Sequence, residues 1–152
     1  MANKKRIVLG GDHNGVEHKE FIKKHLITKG YDCIDVGPSK ENGKVDYVDY
    51  AYQVGKMVND GQADMGILIC GTGQGCAIVA NKFRYVRAAL VHNKKSAPLS
   101  RDHNNTNILC LGSWILEDKD LTLDIVDIWL NTPFGEGRHT PRVEKISKFD
   151  YS

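Results

Sequence analysis

The sequence has no cysteines at CxxC spacing and no apolar run approaching the roughly 20 residues that a membrane-spanning helix needs. Charge of one sign is not in excess either. A net +2 over 152 residues excludes the broad field that draws nucleic acid or an anionic membrane surface. Internal repeats and linker-like stretches are absent, so we read residues 1–152 as one domain, long enough to enclose a core. The basic start, Met1 to Arg6, runs into an Ile-Val-Leu stretch too short for a secretory signal. Cys33, Cys70, Cys76 and Cys110 then read as reduced thiols of a cytoplasmic protein rather than as a disulfide framework.

What is present is an alternation of strand and helix patterns. Lys5–Gly10, Tyr31–Val36, Met65–Cys70, Arg87–Val91 and Asn107–Leu111 read as five strands. The third is apolar without alternation, the pattern of a strand buried on both faces of a parallel sheet. Between the strands, Phe21, Ile22 and Leu26 fall at helical spacing ahead of Gly30, and Tyr47, Ala51, Val54 and Val58 repeat every three or four residues. Ala77–Lys82 fits a helix, Ser96 and Pro98 suit the start of a short one, and Leu121, Ile125, Ile128 and Trp129 define a long one. Thr140-Pro141 resembles an N-cap followed by proline in the first turn, opening a C-terminal helix. This order predicts a three-layer α/β/α sandwich with a five-stranded, parallel, Rossmann-like sheet. In such sheets ligands bind beyond the carboxyl ends of the strands.

Those ends carry the polar residues. Gly11-Asp12-His13-Asn14 follows the first strand, and Cys70-Gly71-Thr72-Gly73-Gln74-Gly75-Cys76 follows the third. Alternate glycines let the backbone turn tightly and present successive N–H groups to an anion, either a phosphate or an oxyanion formed in reaction. Cys70 closes its strand facing the next helix N-terminus, an environment that lowers a thiol pKa from about 8.5. A cysteine ending a buried strand is more often only a small apolar residue, and we read Cys33 and Cys110 that way. The loop is not a nucleotide motif. It lacks the Gly-Lys-Ser/Thr ending of a Walker A sequence, and its spacing is GxGxG rather than GxGxxG.

A second cluster is Arg138-His139-Thr140-Pro141-Arg142. A cation in a helix's first turn is disfavoured by the dipole unless an anion joins it. Arg138 and Arg142, with His139 beside them, therefore read either as a phosphate clamp or as a solvated basic turn. His13 and His103 each stand beside an aspartate and an asparagine, which suits an oriented acid or base. His18 and His25 lie among lysines and read as surface residues. No HxxxH spacing supports a metal site, and none is expected.

These residues resemble the ribose-5-phosphate isomerase B family, whose relatives act on allose and galactose 6-phosphates. The likeness runs nearly end to end. It takes in Gly11-Asp12-His13, Val45-Asp46-Tyr47, Gly66 to Gly73, Ala80-Asn81-Lys82, Ser100-Arg101 with His103-Asn104, Leu109 to Gly112, and Trp129 to Phe134 ahead of Gly137-Arg138-His139. The resemblance implies a cofactor-free, metal-independent aldose–ketose isomerase working through a cis-enediolate, with Cys70 as the base. It implies that Thr72 and the amides of Gly71, Gly73 and Gly75 stabilise the enediolate. Asp12 and His103 would handle the closed ring, Tyr47 and Asn104 line the sugar, and His13, Arg138 and Arg142 bind phosphate. It also implies a homodimer, or a tetramer built from it, with His103 and Asn104 crossing to the other copy's site.

Three departures bear on substrate. Trp114 stands where many relatives have arginine, Gln74 and Cys76 replace an aliphatic residue and a serine or methionine, and Lys94-Lys95 with Pro98 alter the segment after the fourth strand. The alternatives are the same chemistry on another tetrose, pentose or hexose phosphate, a catalytically silent sugar-phosphate binder, and a redox role for Cys70 with Cys76.

Overall fold

The computed structural model describes residues 4–149. Five strands, β1 (Arg6–Gly11), β2 (Asp32–Asp35), β3 (Met65–Cys70), β4 (Ala88–Leu90) and β5 (Ile108–Gly112), form one sheet in the order β2-β1-β3-β5-β4. Every neighbouring pair is parallel. The helices are α1 (Val16–Thr28), α2 (Tyr47–Asn59), α3 (Gln74–Ala80), α4 (Ser96–Asn104), α5 (Lys119–Asn131) and α6 (Thr140–Ile146). No described helix is long and apolar enough to cross a membrane.

The period-2 alternation of strand side chains sorts the core into two layers. Ile7, Leu9, Ile67, Ile69, Leu109 and Leu111 face Ile22 and Leu26 of α1, Ala97 of α4 and Ile125, Val126 and Trp129 of α5. Val8, Leu68, Cys70, Ile108 and Cys110 face Ala51, Val54 and Val58 of α2 and Cys76 and Ala80 of α3. The expected three-layer α/β/α sandwich is what forms, and all six residues of β3 are buried, as their unbroken apolar run implies. Cys70 thus shares a layer with the first turn of α3.

Four strands start one residue later than expected, and two helix starts differ for an identifiable reason. Helix α3 begins at Gln74 instead of Ala77, because Gly73 takes a left-handed conformation (φ 77°) as its N-cap, so that Gly75 lies inside the helix. Helix α6 is entered through a 3-10 turn, Gly137–His139, which makes His139 its N-cap instead of Thr140.

Two charged features lie inside the α1 side. His25, expected at the surface, is partly buried and its Nε2 lies 2.8 Å from an Asp127 carboxylate oxygen on α5. Lys19 is only 1% exposed. Its Nζ donates to Asp35 at 2.8 Å and to Glu20 at 3.0 Å, while Lys23 donates to the same Asp35 oxygen at 2.7 Å. Burial opposes ionisation of Asp35, but hydrogen bonds from Lys19, Lys23 and the Gly37 N–H outweigh it and hold the carboxyl below its ordinary value.

Asp35→Ala leaves the buried Lys19 ammonium only the half-exposed Glu20 as partner, so it should cost up to about 3 kcal/mol in a denaturant titration, whereas Lys19→Met leaves Asp35 paired with Lys23 and should cost far less. Because the folded-state pKa of Asp35 is depressed, its stabilisation is complete above the unfolded value of about 3.9 and is lost as pH falls through the folded value. An acid melt of the wild type, compared with Asp35→Asn, should show that difference vanish at low pH.

Candidate active site

The carboxyl edge of the sheet gathers two loops around the end of β3. Cys70 pairs in register with Gly112 of β5, and Gly11 pairs with Ile69. Beyond those pairs the ladder continues: Asp12 N–H donates to Ile69 O at 3.2 Å, Ser113 N–H to Cys70 O at 2.9 Å and Trp114 N–H to Gly71 O at 3.0 Å. The loops after β1 and β5 are thereby fixed on either side of Cys70. A pocket of about 370 Å³ opens there, lined by Asp12, Asn14, Tyr47, Cys70, Gly71, Thr72, Gln74, Gly75, Ile78 and Trp114.

Each wall has a local cause. Asp12 caps the turn after β1 by accepting the Asn14 N–H at 2.9 Å. Asp46 starts α2 by accepting the Val48 N–H at 2.9 Å, which sets Tyr47 in the first turn. The Tyr47 ring then packs on Gly75, where an added Cβ would stand 2.5 Å from a ring carbon. Thr72 Oγ1 accepts the Gln74 N–H at 3.3 Å.

Cys70 is the most chemically distinctive group in the pocket. Its Sγ accepts the Gly73 N–H at 3.2 Å. The Cys76 thiol donates to it, and that hydrogen bond, helped by the N–H groups of Cys76 and Gly73, overcomes burial and the nearby Asp12 charge to bring the Cys70 pKa down to about 6. The shared proton stays on Cys76, whose own thiol is pushed far up by that hydrogen bond and by burial. Burial likewise raises Cys110. All four cysteines are free.

The other expected residues lie outside this pocket. His13 adjoins Asp12, with its Nδ1 3.2 Å from both the N and O of Val45, and faces a neighbouring cavity of about 860 Å³ bounded by α1. Gly73 supports Cys70 from behind. His103 and Asn104 end α4, while Arg138 lies in the 3-10 turn and Arg142 in α6. The His103 ring stacks on His139 with centroids 4.3 Å apart, and its Nε2 lies 3.4 Å from Asp102. Burial and the neighbouring His103 lower the His139 pKa. Asp102, His103 and His139 place ligand atoms within 4.8 Å of one another, but stacked rings direct their in-plane lone pairs along separate planes, so one ion cannot meet both without a ring turning. The Cys70 pocket and the cluster around His103, His139 and Arg138 are thus separate features, and no residue of the cluster lines the pocket. Asn14 and Ile78, which no motif singled out, complete the pocket. Asn14 was signalled only by its turn beside Asp12.

A lowered Cys70 pKa should give iodoacetamide alkylation with a midpoint near pH 6, the rate falling below it as the thiolate is protonated. Cys76→Ala removes the principal donor and should move that midpoint up toward the free-thiol value of about 8.5. An unshifted midpoint in the variant would reject Cys76 as the cause.

Comparison with known proteins adds an independent finding. A family model described as Ribose/Galactose Isomerase matches residues 7–146. Ribose-5-phosphate isomerase B of Escherichia coli is 44% identical over 146 residues, 96% of this chain and 97% of that protein. D-erythrulose-4-phosphate isomerase of Pectobacterium atrosepticum is 34% identical over 95% of both chains. The crystal structure of ribose-5-phosphate isomerase B from Mycoplasma genitalium with bound ribulose-5-phosphate superposes with a TM-score of 0.92, at 40% identity and over 97% of each chain.

Proposed function

The chain belongs to the ribose/galactose isomerase family, and from that premise we propose that it interconverts ribose 5-phosphate and ribulose 5-phosphate, with Cys70 as the base. The observation that carries this reading is the Cys70 thiolate, poised near neutrality at the floor of a pocket lined by hydroxyl, amide and carboxylate groups. A thiolate removes the proton from the carbon beside the aldehyde, and the electron pair moves onto the carbonyl oxygen as a cis-enediolate. The Thr72 hydroxyl and the backbone N–H groups of Gly71 and Gly75 stabilise that oxygen, while the Gly73 N–H is engaged by the Cys70 sulfur. The hydroxyl proton on the neighbouring carbon passes to the former carbonyl oxygen, and the proton held on Cys70 is delivered to the former carbonyl carbon, which leaves the carbonyl on the neighbour and completes the ketose. A positioned base contributes about 10²–10⁴ in rate and a single oxyanion donor about 10²–10³.

Asp12, at the pocket wall, assists opening of the closed ring, and Tyr47 bounds the sugar. The pocket of one chain contains neither lysine nor arginine, yet the substrate's phosphate calls for cations. We assign phosphate binding to His13 together with Arg138 and Arg142, and ring opening to Asp12 with His103, with Asn104 beside the sugar. Because His103 stacks on His139 next to Arg138, that whole cluster travels together. A second copy of the chain supplies it, which makes the working unit a homodimer formed by one isomerase domain per chain. Free thiols suit the reducing cytoplasm, where we place the enzyme.

A panel of phosphorylated tetroses, pentoses and hexoses, assayed with a chelator present, tests the reading. Ribose 5-phosphate should turn over fastest. Preference for a four-carbon substrate, as the name of the Pectobacterium relative suggests, would keep the chemistry and change the substrate. Cys70→Ala should lower kcat by at least about 10³ while leaving sugar-phosphate affinity within a few-fold. An active Cys70→Ala protein would remove the thiol from the mechanism. Arg138→Ala should chiefly raise KM. A mixture of inactive Cys70→Ala and His103→Ala chains should regain up to about a quarter of wild-type turnover, through mixed dimers holding one intact site, if the site is shared.

A further inference from the structure

Trp114 is 62% exposed, whereas the chain's second tryptophan, Trp129, is fully buried and donates its indole N–H to Thr106 at 3.0 Å. The exposed indole is not a loose surface side chain. Its backbone N–H is bound to Gly71 O at 3.0 Å, and its ring lies so close over Gly71 that an added Cβ there would stand 2.8–2.9 Å from three ring carbons. The ring is thereby held one residue from Cys70, at the pocket wall. Tyr47 and Ile78, the latter 64% exposed, are the other large apolar side chains lining the same pocket. The ionisable lining groups are Asp12, Tyr47 and Cys70, so this chain places no cation at this wall.

We propose that Trp114 is a specificity-determining residue whose indole face forms the stacking wall for the carbon chain of the sugar and so sets the chain lengths that the site accepts. The inference rests on the sugar-phosphate reading of the Cys70 pocket. A polyol chain is polar along its hydroxyls and apolar along its C–H bonds, and a flat aromatic face matches the second of these without demanding a hydrogen bond. The wall is rigid because the Gly71 backbone behind it leaves the ring no room to retreat. A chain longer than the face can cover must push its terminal carbons past the indole into the pocket mouth, and a shorter one leaves part of the face wet. Stacking of this kind acts on bound substrate and transition state alike, so its loss appears mainly in KM.

The test compares wild type, Trp114→Ala and Trp114→Phe on four-, five- and six-carbon aldose phosphates, beside titration with 5-phosphoribonate, which binds as a five-carbon chain and cannot isomerise. Trp114→Ala should raise KM for the best substrate about tenfold with kcat changed less than about threefold, and should flatten the preference among chain lengths, while Trp114→Phe recovers most of both. The aldonate should shift the wild-type indole emission, which Trp129 cannot report from the core, and should leave Trp114→Phe emission unmoved. Unchanged KM and chain-length preference in Trp114→Ala, or wild-type emission indifferent to saturating aldonate, would overturn the assignment. A wild-type protein that isomerises none of the sugars would instead overturn the functional reading, and the aldonate titration, which needs no turnover, would still decide whether the indole is contacted.

Discussion

The site depends on three backbone hydrogen bonds that carry the ladder past the end of β3. Ile69, Cys70 and Gly71 offer their carbonyls in succession to Asp12, Ser113 and Trp114. A strand end without partners would leave those carbonyls to water and the two loops to wander. Bound on both sides, the last residue of β3 becomes the best-fixed point on the carboxyl edge, and it is a cysteine. The same bonds explain why walls come from segments far apart in sequence: Asp12 and Trp114 continue strands already in register with β3, while Tyr47 is brought in by the start of α2.

The order of elements and the two-faced burial of β3 were legible because periodicity of two and of three to four is written residue by residue. Boundaries were less so where glycine decides. The Gly71–Gly75 run reads as loop by composition, yet a single left-handed residue, Gly73, turns its second half into the first turn of α3, and nothing in the composition says which glycine does so. Cys70, Thr72 and Asp12 were legible as one cluster because all follow strands at the same edge, whereas Tyr47 read by its spacing as a helix position and entered the site only through the family resemblance. Trp114 was legible only as a departure; that its ring lies over Gly71 depends on β5 pairing with β3, which pattern does not specify. The Lys19 pairing with Asp35 and the His25 contact with Asp127 were missed for a related reason. A charged residue on a lysine-rich helix looks solvated until its tertiary partner is known.

With Cys70 as the proposed base, its environment also separates two tasks that a sugar-phosphate enzyme must keep apart. A thiolate can be favoured by a nearby cation, but a cation beside the base would also attract the phosphate and draw the wrong end of the substrate toward the reacting sulfur. Here neutral donors do the work: the Cys76 thiol and the N–H groups of Gly73 and Cys76. They stabilise negative charge on sulfur at short range and lose effect within a few ångströms.

That choice fits the separation of the cationic cluster from the pocket. His103 lies in the last turn of α4, Arg138 and His139 in the 3-10 turn and Arg142 in α6, and none of them lines the pocket around Cys70. On the proposed reading, phosphate is held at one end of the substrate by Arg138 and Arg142 of one copy with His13 of the second, and the reacting carbons lie at the other end against Cys70 and the indole of that second copy. The distance between cation and base is then fixed by the packing of two folded chains instead of by a flexible loop. Orientation of an extended, many-hydroxyl substrate is the harder part of this reaction, because several of its carbons carry similar protons. A charge at one end and a flat apolar wall beside the base at the other determine which carbon reaches the sulfur, and neither alone would do so.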